Sequence, residues 1–193
     1  MGKGESTKRM IIEKSAYLIN RNGMAGTSIS AIMQATGLAK GGIYGNFLDK
    51  NEICRATFLY LVSDLSSKLT KLINSCNSAE FKFYSLLDFY ENQMLDIGGC
   101  PIMNFGLEAD DTNAEIAKIV GRSIVTFQKR IADIILFGQN NGELSQGVDA
   151  YKHAVKVFCL LEGGILCSKV LKSRAQLQLI IGMIKDEFRQ LLN

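Results

Sequence analysis

Residues 26–53 have the sequence GTSISAIMQATGLAKGGIYGNFLDKNEI, and this stretch decides the fold. Ile29 and Ile32 lie on one side of a predicted short helix that ends at Gly37. A second short helix is predicted over 38–47, after a turn of about three residues. Two short helices joined by a tight turn form a helix-turn-helix. The spacing therefore predicts a motif of the kind that enters the major groove of DNA.

The polar residues of this stretch suit contacts with the DNA backbone and the major groove. Thr27 and Ser28 lie at a helix N-terminus, where hydroxyls, N–H groups and the helix dipole favour a phosphate. Lys40 begins the second helix and is placed to reach a base edge or a phosphate. Gly41 and Gly42 each cost a helix roughly 1 kcal/mol relative to alanine, which indicates close approach of the backbone to a partner.

Two more residues of the stretch suit the DNA backbone. Tyr44 can offer its hydroxyl to a phosphate, and Lys50 can hold the flanking strand. These residue types also have ordinary structural roles, because Thr, Ser and Asp are common helix caps and tyrosine is a common core residue. The residues alone therefore leave DNA binding and simple packing open.

The stretch resembles the N-terminal domain of the TetR (tetracycline repressor-like) regulators of bacteria, and the resemblance extends back over residues 11–23. The matching residues are Thr27-Ser28, Ile32, Ala35, Gly37, Lys40-Gly41, Ile43-Tyr44, Phe47, Lys50 and Glu52. The resemblance implies an all-helical homodimer, usually a repressor. Such a protein releases a pseudo-palindromic double-stranded DNA operator when a small-molecule inducer enters its C-terminal domain.

The resemblance also implies which residues meet the operator. The expected DNA-binding residues are Thr27, Ser28, Lys40, Gly41, Gly42, Tyr44, Asn46 and Lys50. Lys40, Gly42 and Asn46 are expected to read the base sequence, while the hydroxyl residues and Lys50 position the protein on phosphates.

This sequence departs from the family pattern at two places. Ala39 stands where the family often has a capping serine, and the loss of that cap costs roughly 1 kcal/mol. We therefore expect a recognition helix that becomes fully ordered on its operator. Gly45-Asn46 replaces a bulkier pair, which leaves the base preference open.

The rest of the chain predicts an all-α fold. It contains one proline, Pro101, and no sustained strand alternation, so about nine helices are expected. We expect a three-helix helix-turn-helix domain over 1–50 and a ligand-binding and dimerisation domain over 51–193, connected by a helix over about 49–76. The residues predicted to cap later helices are Asp49 with Glu52, Thr112 with Glu115, Asp149, and Ser173 with Gln176.

Positive charge is concentrated at the N-terminal end. Residues 1–55 contain eight Lys or Arg and four Asp or Glu, whereas the whole chain has a formal net charge of +3. The residues after 55 therefore carry a net charge of −1. This asymmetry is expected when one end of a chain meets a polyanion.

The C-terminal part predicts dimerisation and sensing. The last two helices, over about 150–171 and 174–192, are apolar on more than one face, and a partner subunit could cover the surplus. Glu162 lies in an apolar run and needs a partner, either a neighbouring polar group or a cationic or polar ligand. The candidates for an inducer pocket are Phe58, Leu61, Phe83, Leu87, Tyr90, Met94, Met103, Phe105, Phe127, Phe158 and Glu162.

The cysteines suggest no metal or disulfide framework. There are five, none in a Cys-x-x-Cys pair, and one histidine, His153, so no metal site and no cofactor is expected. With no apolar signal segment and no membrane span, a reducing cytoplasm is the expected location. Cys100 is expected at a helix N-terminus beside two glycines, which would lower the thiol pKa and improve access. A thiol-based oxidant or electrophile sensor is therefore an alternative, and a small capping residue is the simpler interpretation.

Two rival classes can be weighed against a DNA-binding regulator. An enzyme is not expected, because His153 has no nucleophile at motif spacing and no phosphate-binding loop is present. A helical protein–protein adaptor is the other rival. Duplex binding that weakens as salt rises would separate the regulator from the adaptor.

Overall fold

The chain is all-helical, as predicted. The computed structural model describes residues 2–193 and, within them, every side chain except that of Lys3. The helices of this part are α1 Lys3–Asn22, α2 Ile29–Thr36, α3 Lys40–Tyr44, α4 Lys50–Asn74, α5 Ala79–Gln93, α6 Pro101–Ala109, α7 Ala114–Asn140, α8 Ala150–Leu171 and α9 Ala175–Arg189. None of these described helices is long and apolar enough to span a membrane.

Several helix ends follow directly from local sequence. Ser28 caps α2 by accepting a hydrogen bond from Ala31 N at 3.1 Å, and Asp149 caps α8 by accepting from two backbone N–H groups. Helix α2 ends at Gly37, whose φ of 74° is left-handed and favours glycine. These three ends agree with the predictions.

One predicted cap is wrong, and another lies one residue before the observed N-cap of its helix. Helix α7 is capped by Asn113, whose Oδ1 accepts from Ile116 N at 3.1 Å, and the Thr112 hydroxyl instead donates to the carbonyl of Glu108. Helix α9 begins after Arg174, which makes no side-chain capping bond, although Ser173 Oγ accepts from Ala175 N at 3.3 Å. The real boundaries lie within one or two residues of the predicted ones.

The chain divides into two compact units. Unit 1 comprises Met1–Leu65 and Pro101–Val120, and unit 2 comprises Ser66–Cys100 and Gly121–Asn193. This division differs from the predicted boundary after residue 50 in two ways. Helix α4 is continuous and contributes residues to both units, and α6 belongs to unit 1 with the N-terminal helices.

Side chains of α6 explain why it belongs to unit 1. Glu108 accepts hydrogen bonds from Met24 N at 2.9 Å and Ala25 N at 2.8 Å, in the turn after α1. Asn104 Nδ2 donates to the carbonyl of Asn20 at 2.9 Å. The turn passes close to Glu108 at Gly23, where φ is 84° and a Cβ would overlap the carboxylate. Helix α6 therefore fixes the end of α1.

The core of unit 2 is built around the end of α9. The Phe83 and Phe188 rings are fully buried and stacked, with centroids 4.1 Å apart and an interplanar angle of 13°. Helices α8 and α9 pack closely at Gly164, where a Cβ would lie 3.1 Å from Leu177 Cδ1. The close approach at this glycine is thus made within the chain.

Candidate nucleic-acid interface and sensing region

Helix α3 presents one exposed face. Ile43 is fully buried and Phe47, just after the helix, is 2% exposed, so these two side chains hold α3 to unit 1. Lys40, Gly41 and Tyr44 face outward. The Lys40 ammonium lies 5.9 Å from the centre of the Tyr44 ring, within cation–π range. The face thus offers a positive charge, a bare backbone and a phenolic hydroxyl.

The two glycines of α3 are not equally required by the fold. A Cβ at Gly41 would meet nothing within 4 Å, whereas one at Gly42 would lie 3.4 Å from Leu38 Cβ. The protein therefore tolerates a side chain at Gly41, although glycine costs helix stability there. An external partner that approaches the backbone closely would account for the glycine.

Of the two hydroxyl residues before α2, Ser28 is exposed and Thr27 is buried. Ser28 is exposed at the cap of α2. Thr27 is fully buried, and its hydroxyl donates to the carbonyl of Gly23 at 2.8 Å. The expectation that Thr27 holds a phosphate is therefore corrected, because the hydroxyl faces inward and closes the turn after α1.

The remaining predicted DNA contacts lie where α3 ends and α4 begins. Asn46 Nδ2 donates to the carbonyl of Gly42 at 2.8 Å, so the amide group already stabilises the end of α3. Lys50 is the first residue of α4 and is half-buried. The structure brings Asn46 and Lys50 to the same end of α3, and one of the two N–H groups of the Asn46 amide is already used within the chain.

The segment after α3 is held by a hydrogen bond to Glu52 that the sequence did not predict. Glu52 Oε2 accepts from Leu48 N at 2.7 Å, and Lys8 Nζ lies 3.0 Å from Glu52 Oε1. The hydrogen bond from Leu48, with help from Lys8, lowers the pKa of Glu52. Lys8 also lies 4.8 Å from the centre of the Phe47 ring. The Asp49–Glu52 pattern indicates a helix cap. It does not indicate the contact between Glu52 and Lys8 of α1, because these two residues are far apart in the sequence.

The N-terminus of α3 lacks a side-chain cap, as the sequence indicated. Ala39 makes no capping bond, and its carbonyl accepts from Gly42 N at 2.9 Å. Ala39→Ser should raise the free energy of unfolding by about 1 kcal/mol, because a serine hydroxyl would satisfy an open N–H of the first turn. Urea unfolding of the two proteins measures this. An Ala39→Val variant, which adds bulk without a cap, should show no such gain.

The candidate pocket residues fall in both units. Phe58, Leu61, Met103 and Phe105 belong to unit 1, where the Phe58 and Phe105 rings lie 5.1 Å apart. The other seven belong to unit 2, where all are buried. They are Phe83, Leu87, Tyr90, Met94, Phe127, Phe158 and Glu162.

Glu162 is the polar exception in the core of unit 2. It is 3% exposed, and neither carboxylate oxygen accepts a hydrogen bond of normal geometry from a described residue. Burial raises the pKa of Glu162 to about 7, and the nearby Cys100 side chain acts in the opposite direction. Tyr90 is fully buried as well, and burial raises its pKa well above the ordinary value. The core therefore contains a carboxyl group that loses its proton near neutral pH and not near pH 4.5.

Cys100 precedes α6, as predicted, but it is fully buried. The neighbouring Gly98 and Gly99 adopt φ of 95° and 102° and form the turn that leads into the helix. The expectation that the glycines improve access to the thiol is wrong, because this turn places the side chain inside unit 2. A buried thiol does not meet the exposure that oxidant sensing requires.

Helices α8 and α9 leave apolar side chains uncovered. Val170 is 71% exposed, Leu179 66% and Met183 60%. Leu166, Cys167 and Leu171 are exposed on α8 as well. Exposed apolar residues that cluster on two adjacent helices are typical of an interaction surface.

Two family models match the chain. The model described as "Bacterial regulatory proteins, tetR family" matches residues 11–57, and "Tetracyclin repressor-like, C-terminal domain" matches residues 83–184. The chain belongs to the TetR family. It is a DNA-binding transcriptional regulator, and TetR-family proteins are not enzymes, which agrees with both expectations from the sequence.

Solved TetR-family structures share this fold over its full length. One from Cytophaga hutchinsonii has a TM-score of 0.93 and 32% identity, covering 100% of this chain and 98% of its own. One from Chloroflexus aurantiacus has a TM-score of 0.92 and 29% identity, with the same coverage. An HTH-type transcriptional regulator of Mycobacterium tuberculosis is 26% identical over 189 residues, which are 93% of this chain and 92% of that protein.

Proposed function

We propose that this TetR-family protein is a repressor that leaves a pseudo-palindromic operator when a small-molecule inducer binds. The exposed face of α3 carries the DNA half of this proposal, because Lys40, Gly41 and Tyr44 are turned away from the core. Lys40 and Gly42 would read bases, while Ser28, Tyr44 and Lys50 would hold phosphates. As a DNA-binding protein it would act in the cytoplasm.

A second copy of the chain would supply the second recognition helix. We propose that the exposed apolar residues of α8 and α9 form the dimer interface, since burial of Val170, Leu179 and Met183 removes apolar surface from water. The two copies of α3 would then meet successive major grooves, about 34 Å apart. Sedimentation equilibrium at micromolar concentration tests this, and a monomeric mass would contradict it.

The inducer would bind in the core of unit 2. Phe83, Tyr90 and Phe158 supply apolar surface there, and Glu162 supplies a buried carboxyl group beside Cys100. A ligand that binds better to the conformation unable to span two grooves shifts the population away from DNA by its difference in affinity.

Lys40→Ala should weaken binding to an operator duplex roughly tenfold or more, because it removes a charge-assisted contact. Tyr44→Phe should weaken binding less, since it removes a single hydroxyl hydrogen bond. Fluorescence anisotropy of a labelled duplex, taken from upstream of the gene and titrated at two salt concentrations, measures both. Wild-type affinity should fall as salt rises.

Lys118→Ala provides the matched control, since Lys118 is an exposed lysine on α7, outside the proposed interface. It should bind DNA like the wild type. Wild-type affinity in both the Lys40 and Tyr44 variants would show that α3 is not the recognition helix.

A further inference from the structure

A cleft in unit 2 lies between the C-terminal half of α4, α5 and α7. Its volume is about 240 Å³, and it shares no lining residue with the inducer site proposed above. Ile73, Ile134 and Phe137 supply apolar surface, while Lys82 and Arg130 supply cationic groups. The space equals roughly eight water molecules at liquid density, so it suits a ligand smaller than a typical drug.

Arg130 lines the cleft, and its guanidinium has fewer hydrogen bonds than it can make. Its Nη2 donates to Ser66 Oγ at 2.7 Å and Thr70 Oγ1 at 3.2 Å, both of which are neutral acceptors. Its Nη1 is buried and has no hydrogen-bond partner among the described residues. Burial lowers the pKa of the guanidinium, because the charged form has lost hydration. The centre of the Phe127 ring lies 5.2 Å from the guanidinium carbon and does not replace this hydration. An anion against the part of the guanidinium that lines the cleft would compensate the lost hydration.

Lys82 brings a second positive charge to the lining. Its Nζ donates to the carbonyl of Ile73 at 2.9 Å and lies 4.9 Å from the centre of the Phe137 ring. The carboxylate of Asp133 also lines the cleft, but Lys129 Nζ lies 2.7 Å from both of its oxygens. Asp133 also interacts electrostatically with Arg130. The lining keeps a net positive charge, because Lys82 and Arg130 outnumber this one carboxylate.

We propose that this cleft binds a small organic anion. A carboxylate or similar oxyanion would be held by Lys82 and Arg130, and a short apolar body would lie against Ile73, Ile134 and Phe137. Arginine and lysine are the side chains that bind oxyanions most strongly, and apolar walls around a few polar groups are typical of small-molecule sites. This site is separate from the proposed inducer pocket and does not depend on DNA binding.

The test compares acids with neutral amides of the same shape. Benzoate and hexanoate are titrated into the full-length protein without DNA, with benzamide and hexanamide as controls, and binding is followed by two-dimensional NMR and by Tm. We expect at least one acid to bind at millimolar concentration, to raise Tm, and to bind at least tenfold more tightly than its amide. Its shift changes should centre on α4, α5 and α7.

Substitutions locate the binding. Lys82→Met and Arg130→Gln should each weaken binding of the acid at least tenfold, whereas Lys71→Met, an exposed lysine of α4 outside the lining, should not. If Arg130→Gln does not fold, the affinity of Lys82→Met for the acid decides whether the cleft is the binding site. Equal binding of acid and amide, no binding of either acid, or wild-type affinity in Lys82→Met would each overturn the proposal. A failure of the repressor function would leave these results unchanged.

Discussion

Glu162→Gln should stabilise the protein by about 3 kcal/mol above pH 8 and change its stability little near pH 4. The pKa of Glu162 is about 7 in the folded chain, against an ordinary value of 4.5. Each pKa unit corresponds to about 1.4 kcal/mol between protonation states. The folded state therefore holds a proton that the unfolded state loses, so wild-type stability falls as pH rises from about 4.5 to 7 and stays low above that.

Glutamine has the shape of the protonated carboxyl group and does not titrate, so the variant avoids this loss. Urea unfolding of both proteins across the pH range measures the difference. Glu5→Gln, which changes an exposed residue of α1, is the matched control and should show no pH-dependent gain. A glutamine variant less stable than wild type at alkaline pH would mean that the folded protein binds the charged carboxylate through a partner.

Phe83→Ala should lower the free energy of unfolding by about 3–5 kcal/mol, the range for removing a large buried aromatic ring. Phe83 is fully buried on α5, and its ring is stacked 4.1 Å from that of Phe188 on α9. The substitution would leave a cavity and remove this stacking contact. Urea unfolding followed by circular dichroism gives the change in free energy.

Phe81 provides a close comparison for this prediction. It lies two residues earlier on the same helix, but it is 65% exposed. Phe81→Ala should therefore change stability by less than about 0.5 kcal/mol. Equal losses in the two variants would show that the exposed face of α5 is also packed, for example against a second copy.

Local patterns predicted most of the fold, because apolar spacing and capping residues act within one or two turns. Ser28 and Asp149 begin their helices, and Gly37 ends one, as expected. The cap of α7 is Asn113 and not Thr112, and the two adjacent residues are of types that cap helices comparably well. The sequence alone could not have placed the cap more closely.

The exposed face of α3 was predictable and the inner contacts were not. Lys40 and Tyr44 are exposed on α3, where the motif indicated. Thr27 was misassigned because a hydroxyl that suits a phosphate suits the carbonyl of Gly23 equally well. Glu162 was recognised as unusual from its apolar neighbours, but burial of both oxygens without described partners depends on packing between distant segments.

The contacts of α6 with the turn after α1 have a consequence for synthesis of the chain. Glu108 and Asn104 bond to residues that precede them by more than 80 positions. A ribosome adds about 5–20 residues per second. It therefore releases the helix-turn-helix several seconds before α6, which completes unit 1. Until then Met24 and Ala25 must bond to water. A fragment ending shortly after residue 57 would remain in that unfinished state.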